Sequence, residues 1–469
     1  MRSRLSIRAF RFRITLPALA GLLFGALPLE RCSATPPPTR IARPVILLML
    51  DTLRADHLGF YGYERDTSPN LDAFARESIA FKYAFTAAPW TPPSVATMLT
   101  GLYPSSHGHQ PPDASEDALS NMRRLSSELV TLPEILRPLG YATAAVSPNP
   151  WISAPFGFDQ GFDTFEYRPK APAAVIASAG IALIDGFVRR GRPFLLYLHF
   201  FDPHDPYSPP ERYAEMFPAH LTRTKHPYGK EMLRLMGRYD GEIRYLDDEL
   251  GRVFAHLKSS GLYQRALIVV IADHGEQFKE HGRKQHGNAL HNEEIHVPFL
   301  VRDPLCGRPA GVDERVVSTV DLFPTILGQL GIPPPPGQAD GLSVFADERI
   351  AARRSVLSEI RRITDQRALI GRDKQKAIFS VPLEGGATLE QRAEVWRHPQ
   401  LVGVYDIQDD YFEQDPGSDA ETPVRLRAEL ERGFGRLMTQ RRPDTLIPAA
   451  AMSRELTEQL RTLGYLGGN

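Results

Sequence analysis

The chain has 469 residues, with 55 lysines and arginines against 56 aspartates and glutamates and a formal net charge of −1. That length allows a large buried core and roughly one to three domains, while charge spread in mixed-sign runs leaves no electrostatic footprint for nucleic acid. Cys32 and Cys306 are the only cysteines, which excludes a disulfide framework and leaves stability to packing.

At the N-terminus Arg2, Arg4, Arg8, Arg11 and Arg13 precede the uncharged apolar stretch Ile14–Leu29. That order fits the charged and apolar regions of a secretory signal, and Cys32-Ser33-Ala34 offers small residues for cleavage after Ala34. Arg31 speaks against acylation of Cys32, and an uncleaved membrane anchor is the alternative. The expected address is periplasmic or secreted, or membrane-anchored by this segment, with 1–34 a signal peptide and proline-rich 35–43 a linker.

The first predicted strand is the apolar run Val45–Leu50, followed by Asp51-Thr52. A helix is expected next, with Ser68 as N-cap, Pro69 at its first position, and Leu71, Phe74, Ala75, Ser78 and Ile79 on one face. Trp90-Thr91-Pro92-Pro93-Ser94 opens another helix and puts Thr91 or Pro92 at its cap. Strands Ala142–Val146 and Phe194–His199 follow, then a helix with Ile243, Leu246, Leu250, Val253 and Leu257 at spacings of three and four. Strand Ala266–Ala272 runs into Asp273-His274-Gly275-Glu276, and Gln285-His286-Gly287 comes soon after. This alternation predicts an α/β fold, a mostly parallel sheet sandwiched by helices. Ile332-Pro333-Pro334-Pro335-Pro336-Gly337 marks a change of texture. Beyond it lie strand-like Ser355–Leu357, Ala368–Ile370 and Ala377–Val381 and a helix from Val424 to about Met438.

Ligands of open α/β sheets bind beyond the carboxyl ends of parallel strands. Asp51 and Asp273 stand there, and His274 adds an imidazole. Either aspartate alone reads equally as a helix cap; the two together with His274 read as one metal site. The mixed oxygen–nitrogen donors suit zinc, manganese or iron better than calcium, so one divalent ion, manganese, zinc or calcium, is expected. Thr91 adds a hydroxyl at a helix start, where the dipole favours an anion or alkoxide. These are the parts of a metal-assisted transfer site.

Several motifs in order carry a family likeness: Asp51-Thr52-Leu53-Arg54-Ala55-Asp56-His57, Ser68-Pro69-Asn70-Leu71-Asp72, Pro93-Ser94 through Leu99-Thr100-Gly101-Leu102-Tyr103-Pro104, Asp202-Pro203-His204, Asp273-His274-Gly275-Glu276 and Val320-Asp321-Leu322-Phe323-Pro324-Thr325. Together with the closing Leu460–Gly468, they resemble the sulfatases of the alkaline phosphatase superfamily, from about Pro44 to the C-terminus. The resemblance implies a catalytic domain over 44–337 and a smaller C-terminal α+β subdomain over 338–469. It also implies a divalent cation held by Asp51, Thr91, Asp273 and His274.

Thr91 stands where sulfatases carry the cysteine or serine that is oxidised to formylglycine, and Val95 stands where they carry arginine. Threonine cannot become that aldehyde. By analogy with the threonine-using phosphodiesterases and phosphoethanolamine transferases of the superfamily, Thr91 is the expected nucleophile. Thr52 replaces a second aspartate of many sulfatases, and His274 replaces asparagine, which resembles the phosphoryl-transfer branches. The resemblance gives His204 to the transferred oxyanion or leaving oxygen. It gives His286 the leaving-group position as general acid, with His281 and His291 as alternatives. Glu276 and Glu293 are expected to orient the loop, Ser94 to cap or pack, His199 to sit in the core, and Asn149 to contact substrate.

The function expected is a metal-dependent hydrolase or transferase of phosphate mono- or diesters with a threonine nucleophile. A sulfuric ester hydrolase lacking formylglycine and a catalytically degenerate binding protein are the alternatives. The expected partner is a small-molecule, glycan or lipid phosphate or sulfate ester, with no nucleic acid and at most a membrane tether at the N-terminus.

Overall fold

Val45–Leu50 has six consecutive apolar side chains and nothing polar to offer solvent, and it forms the buried strand β1 in the interior of a sheet. The computed structural model describes residues 42–109, 123–219, 228–353, 355–362, 365–382, 394–417, 420–439, 445–446 and 453–462. The expected signal peptide and almost all of the linker lie outside these residues.

Seven further strands share the sheet: β2 (Ile79–Phe85), β3 (Ala142–Ser147), β4 (Thr164–Tyr167), β5 (Phe194–Phe200), β6 (Leu267–Ala272), β7 (Phe299–Arg302) and β8 (Gly311–Ser318). Their order is β8-β2-β7-β6-β1-β5-β3-β4. All run parallel except β7, which is antiparallel to both neighbours. In the ladder Leu50 pairs with Phe200 on one side and Ala272 on the other, so β1, β5 and β6 end level with one another.

Side-chain alternation sends Val45, Leu47 and Met49 to one face, against Val95 and Leu99 of α2 (Thr91–Thr100) and Phe323 of the later helix Leu322–Gln329. Ile46, Leu48 and Leu50 face the other way, onto α1 (Pro69–Arg76), α3 (Ala173–Arg190) and α4 (Lys230–Ser259). Ile243, Leu246, Leu250, Val253 and Leu257 form the buried stripe of α4, as their spacing predicts. No described helix is long and apolar enough to cross a membrane.

A second, antiparallel sheet follows the proline run: β9 (Ser355–Arg361), β10 (Asp365–Gly371), β11 (Gln375–Val381) and β12 (Gln400–Asp406). Leu426 and Leu430 of helix Glu421–Thr439 pack on Leu357, Leu369 and Phe379. The first strand is tied to the main body, since Glu359 N–H donates to the Ala87 carbonyl (2.8 Å) and Ser358 Oγ to the Thr86 carbonyl (2.6 Å).

Two local expectations change. Helix α1 ends at Arg76: Ser78 Oγ donates to the Phe74 carbonyl at 2.7 Å, and Ile79 opens β2 instead of extending the helical face. Ser68 holds the N-cap position without capping an N–H of its own helix; its Oγ accepts from Gly59 N–H and donates to Asp72.

Candidate active site at the strand ends

Because β1 and β6 end level, Asp51 and Asp273 emerge side by side, and His274 is added by the next residue. One oxygen of each carboxylate is satisfied. Asp51 Oδ2 accepts from His199 Nε2 (2.9 Å) and Asn149 Nδ2 (2.7 Å), and Asp273 Oδ1 accepts from the N–H groups of His274 (2.9 Å) and Thr52 (3.2 Å). The other oxygens, Asp51 Oδ1 and Asp273 Oδ2, are buried with no hydrogen-bond partner.

Those two bare oxygens lie 3.8 and 3.4 Å from His274 Nε2. His274 Nδ1–H donates to the Gly275 carbonyl at 2.9 Å, which fixes the tautomer and turns the Nε2 lone pair toward the carboxylates. All three residues are fully buried, and their ligand atoms lie within 4.8 Å of one another. Buried anionic oxygens without partners are costly. Two of them converging with an imidazole lone pair form a donor set that fits a divalent cation.

Burial pushes His274 down to about 4, so its ring is neutral. Burial raises the Asp273 carboxyl well above its usual range, and the neighbouring Asp51 raises it further. Burial would raise Asp51 as well, but the hydrogen bond from His199 and the fields of His204, His199 and His274 together hold it below the ordinary value.

Thr91 is the first helical residue of α2, with Trp90 as the cap residue in extended conformation. The cap is therefore one residue earlier than the proline rule suggests. Pro92 and Pro93 take two N–H donors out of the first turn, so an anion at this helix end meets the dipole and few amides. Thr91 Oγ1 lies 3.1 Å from His274 Nε2, beside the bare carboxylate oxygens. Ser94 is held in place by its own bonds: its Oγ donates to the Asp273 carbonyl at 2.8 Å and meets Thr86 Oγ1 at 2.9 Å, fastening the start of α2 to the end of β6.

His204 and His286 close the other side. The His286 ring centre lies 4.4 Å from that of His274 and 5.1 Å from that of His204. His204 Nδ1–H donates to the Asp205 carbonyl at 2.5 Å. His286 Nδ1 lies 3.3 Å from Glu276 Oε1. Burial above all, then His274, His204 and Arg362, pushes His286 well below its ordinary value, while burial raises Glu276 well above its own. His281 and His291 lie elsewhere: they stack on each other at 3.5 Å, against Glu293 (2.6 Å) and Glu413 (3.1 Å) respectively.

His199 is buried in β5 as expected, and it also holds Asp51. Asn149 is bound at both ends of its amide, by Asp51 and by the Trp151 N–H (2.9 Å), so it orients a carboxylate. The period-two rule contained the first signal. His199 pairs with Met49 and shares the face that carries Asp51 one pleat further on.

A sequence model of the Sulfatase family matches residues 43–332, more than half of the chain. An arylsulfatase of Clostridium perfringens is 23% identical over 384 residues, covering 64% of this chain and 77% of its own. The multifunctional alkaline phosphatase superfamily protein PehA of Trinickia caryophylli is 25% identical over 390 residues, covering 61% and 73%. The crystal structure of the phosphonate monoester hydrolase of Agrobacterium radiobacter superposes with a TM-score of 0.62 at 19% identity, covering 86% of this chain and 97% of that one. With the level strand ends, the carboxylate pair and the matched segment in agreement, the chain belongs to the sulfatase family of ester hydrolases.

Proposed function

We propose that this sulfatase-family hydrolase cleaves or transfers phosphate esters through a covalent Thr91 intermediate. The single observation that carries the reading is the Thr91 hydroxyl, 3.1 Å from His274 Nε2 at a site whose carboxylates each keep one bare oxygen. A threonine cannot be oxidised to the formylglycine aldehyde, so the hydroxyl itself has to attack. Asp51, Asp273, His274 and Thr91 would hold a divalent cation, which when bound lowers the pKa of a hydroxyl and offsets oxyanion charge.

In the first step Thr91 gives its hydroxyl proton to solvent and Oγ1 forms a bond to phosphorus as the ester P–O bond breaks. The leaving oxygen takes a proton from the imidazole flanking it, His286 or His204. Behind His286 stands Glu276, 3.3 Å from Nδ1, and burial raises that carboxyl and lowers the imidazole; with Glu276 protonated, an Nε2–H can be given up while Nδ1 is recharged from Glu276. Water, or another hydroxyl, then attacks phosphorus and gives its proton back through His286 to Glu276, while the Thr91 oxygen leaves and regains its proton from solvent.

Sulfate ester hydrolysis is the second reading, favoured by likeness to an arylsulfatase. A threonine sulfate lacks the hemiacetal-type release that an aldehyde hydrate provides, which sets phosphate first. Rates for matched phosphate monoesters, diesters and sulfate esters with wild type and Thr91→Ala decide. The expected result is faster phosphate turnover that Thr91→Ala abolishes; a strong sulfate preference hands the function to the second reading. The substrate is a small-molecule, glycan or lipid ester. Export through residues 1–34 belongs to the same proposal: a mature chain beginning after Ala34 is expected, and an intact Met1 would refute it.

A further inference from the structure

The end of β9 brings a cation to the site from the small sheet. The guanidinium carbon of Arg362 lies 5.4 Å from the centre of the Trp90 ring, and Trp90 immediately precedes Thr91. One of its terminal nitrogens lies 2.9 Å from where a β-carbon on Gly287 would sit, and Gly287 immediately follows His286. Gly287 has φ +71, so glycine there permits the turn and also leaves room for the guanidinium. A cleft lined by Pro89, Trp90, Pro93, Pro104 and Arg362 lies beside the start of α2.

Arg362 thus stands next to the nucleophile's helix and next to the proton donor, on the side where the alcohol half of an ester departs. A guanidinium is a permanent positive charge at this edge whatever the pH. We propose that Arg362, braced on Trp90, recognises a second anionic group (carboxylate, sulfate or phosphate) carried on the alcohol half of the substrate. The planar fork matches such oxyanions with two parallel hydrogen bonds, and the indole face fixes its plane. The proposal rests on the phosphate-ester reading, with its leaving group on the His286 side.

The test uses the full chain with Thr91→Ala, so that ligand binds without turnover. Dissociation constants are measured by calorimetry for phenyl phosphate and for its 2-, 3- and 4-carboxyphenyl analogues, with Arg362 intact, Arg362→Ala and Arg362→Lys. With Arg362 intact, one carboxyphenyl phosphate should bind about tenfold tighter than phenyl phosphate. Arg362→Ala should bring that ratio close to one, and Arg362→Lys should keep part of it, because charge survives and the fork does not. A ratio near one with Arg362 intact, or one that persists in Arg362→Ala, overturns the inference. Release of inorganic phosphate by the Thr91→Ala protein is a different failure, which removes the nucleophile and leaves the ratio to decide the subsite.

Discussion

His199 donates through Nε2 to Asp51 Oδ2 at 2.9 Å, and this contact leaves Asp51 Oδ1 facing the space shared with Asp273 and His274. Its other nitrogen is 3.1 Å from the Tyr197 hydroxyl, so the ring is held from both ends. Partners of this kind set which lone pair of a ligand reaches a metal. His199→Leu should therefore weaken divalent-metal binding by about 10–100-fold while the protein stays folded. Chelator competition followed by metal analysis reads the loss, and circular dichroism reads the fold. Unchanged affinity would mean that Asn149 alone orients Asp51.

Thr91→Ser keeps a hydroxyl at the start of α2 and should retain appreciable turnover, while Thr91→Ala should lose several orders of magnitude. Acid quenching during turnover should trap phosphothreonine in the wild type and phosphoserine in Thr91→Ser. Equal rates for wild type and Thr91→Ala would rule out the nucleophile.

Glu242 is pushed up to about 8, by burial first and then by the neighbouring Asp202 carboxyl. Its folded value lies above the ordinary 4.5, so the folded protein keeps a proton that the unfolded chain releases. The stability linked to this proton is full below the unfolded value and is lost as pH rises toward the folded one. Glu242→Gln keeps the carbonyl that accepts from Ser208 N–H and cannot ionise. The variant should be more stable than wild type by about 4 kcal/mol at pH 8, with the difference closing toward pH 5. Urea unfolding at several pH values measures it; a pH-independent difference would refute the assignment.

Lys376 and Glu413 are both fully buried, with Nζ 2.7 Å from Glu413 Oε1 and 3.0 Å from Asn292 Oδ1. Glu413 Oε2 also accepts from Asn292 N–H at 2.8 Å, so the pair joins the small sheet to the loop behind His291. Lys376→Met leaves a buried carboxylate without its cation and should destabilise by about 3–5 kcal/mol. Adding Glu413→Gln should recover part of that loss in chemical denaturation, since the stranded charge is gone.

The sequence showed β1, β5 and β6 almost residue for residue, because a centre strand covered on both faces is an unbroken apolar run. It did not show β8, whose Gly311–Ser318 mixes Asp313, Glu314 and Arg315 with valines at a sheet edge. The carboxylates and His274 were legible because they follow such runs directly. His199 was hidden inside one, where an apolar neighbourhood suggests packing and only the ladder register reveals its partner. Arg362 was invisible for another reason: it reaches the site from a separate sheet, and no local pattern encodes that approach.

The level ends of β1 and β6 have a consequence for metal choice. Neighbouring strands sit about 4.8 Å apart through their backbone hydrogen bonds, and Asp51 and Asp273 step off adjoining strands at paired positions. The spacing of their backbones is a gauge machined into the interior of the sheet, fixed by the ladder on either side. In the proposed site the opposite jaw is the Thr91 hydroxyl, which rides on α2, a helix attached through Ser94 to the Asp273 carbonyl. In the proposed site, adjustment to an ion of different radius, or to a bulkier transferred group, would fall to the seating of one helix, with Ser94 as its fastening.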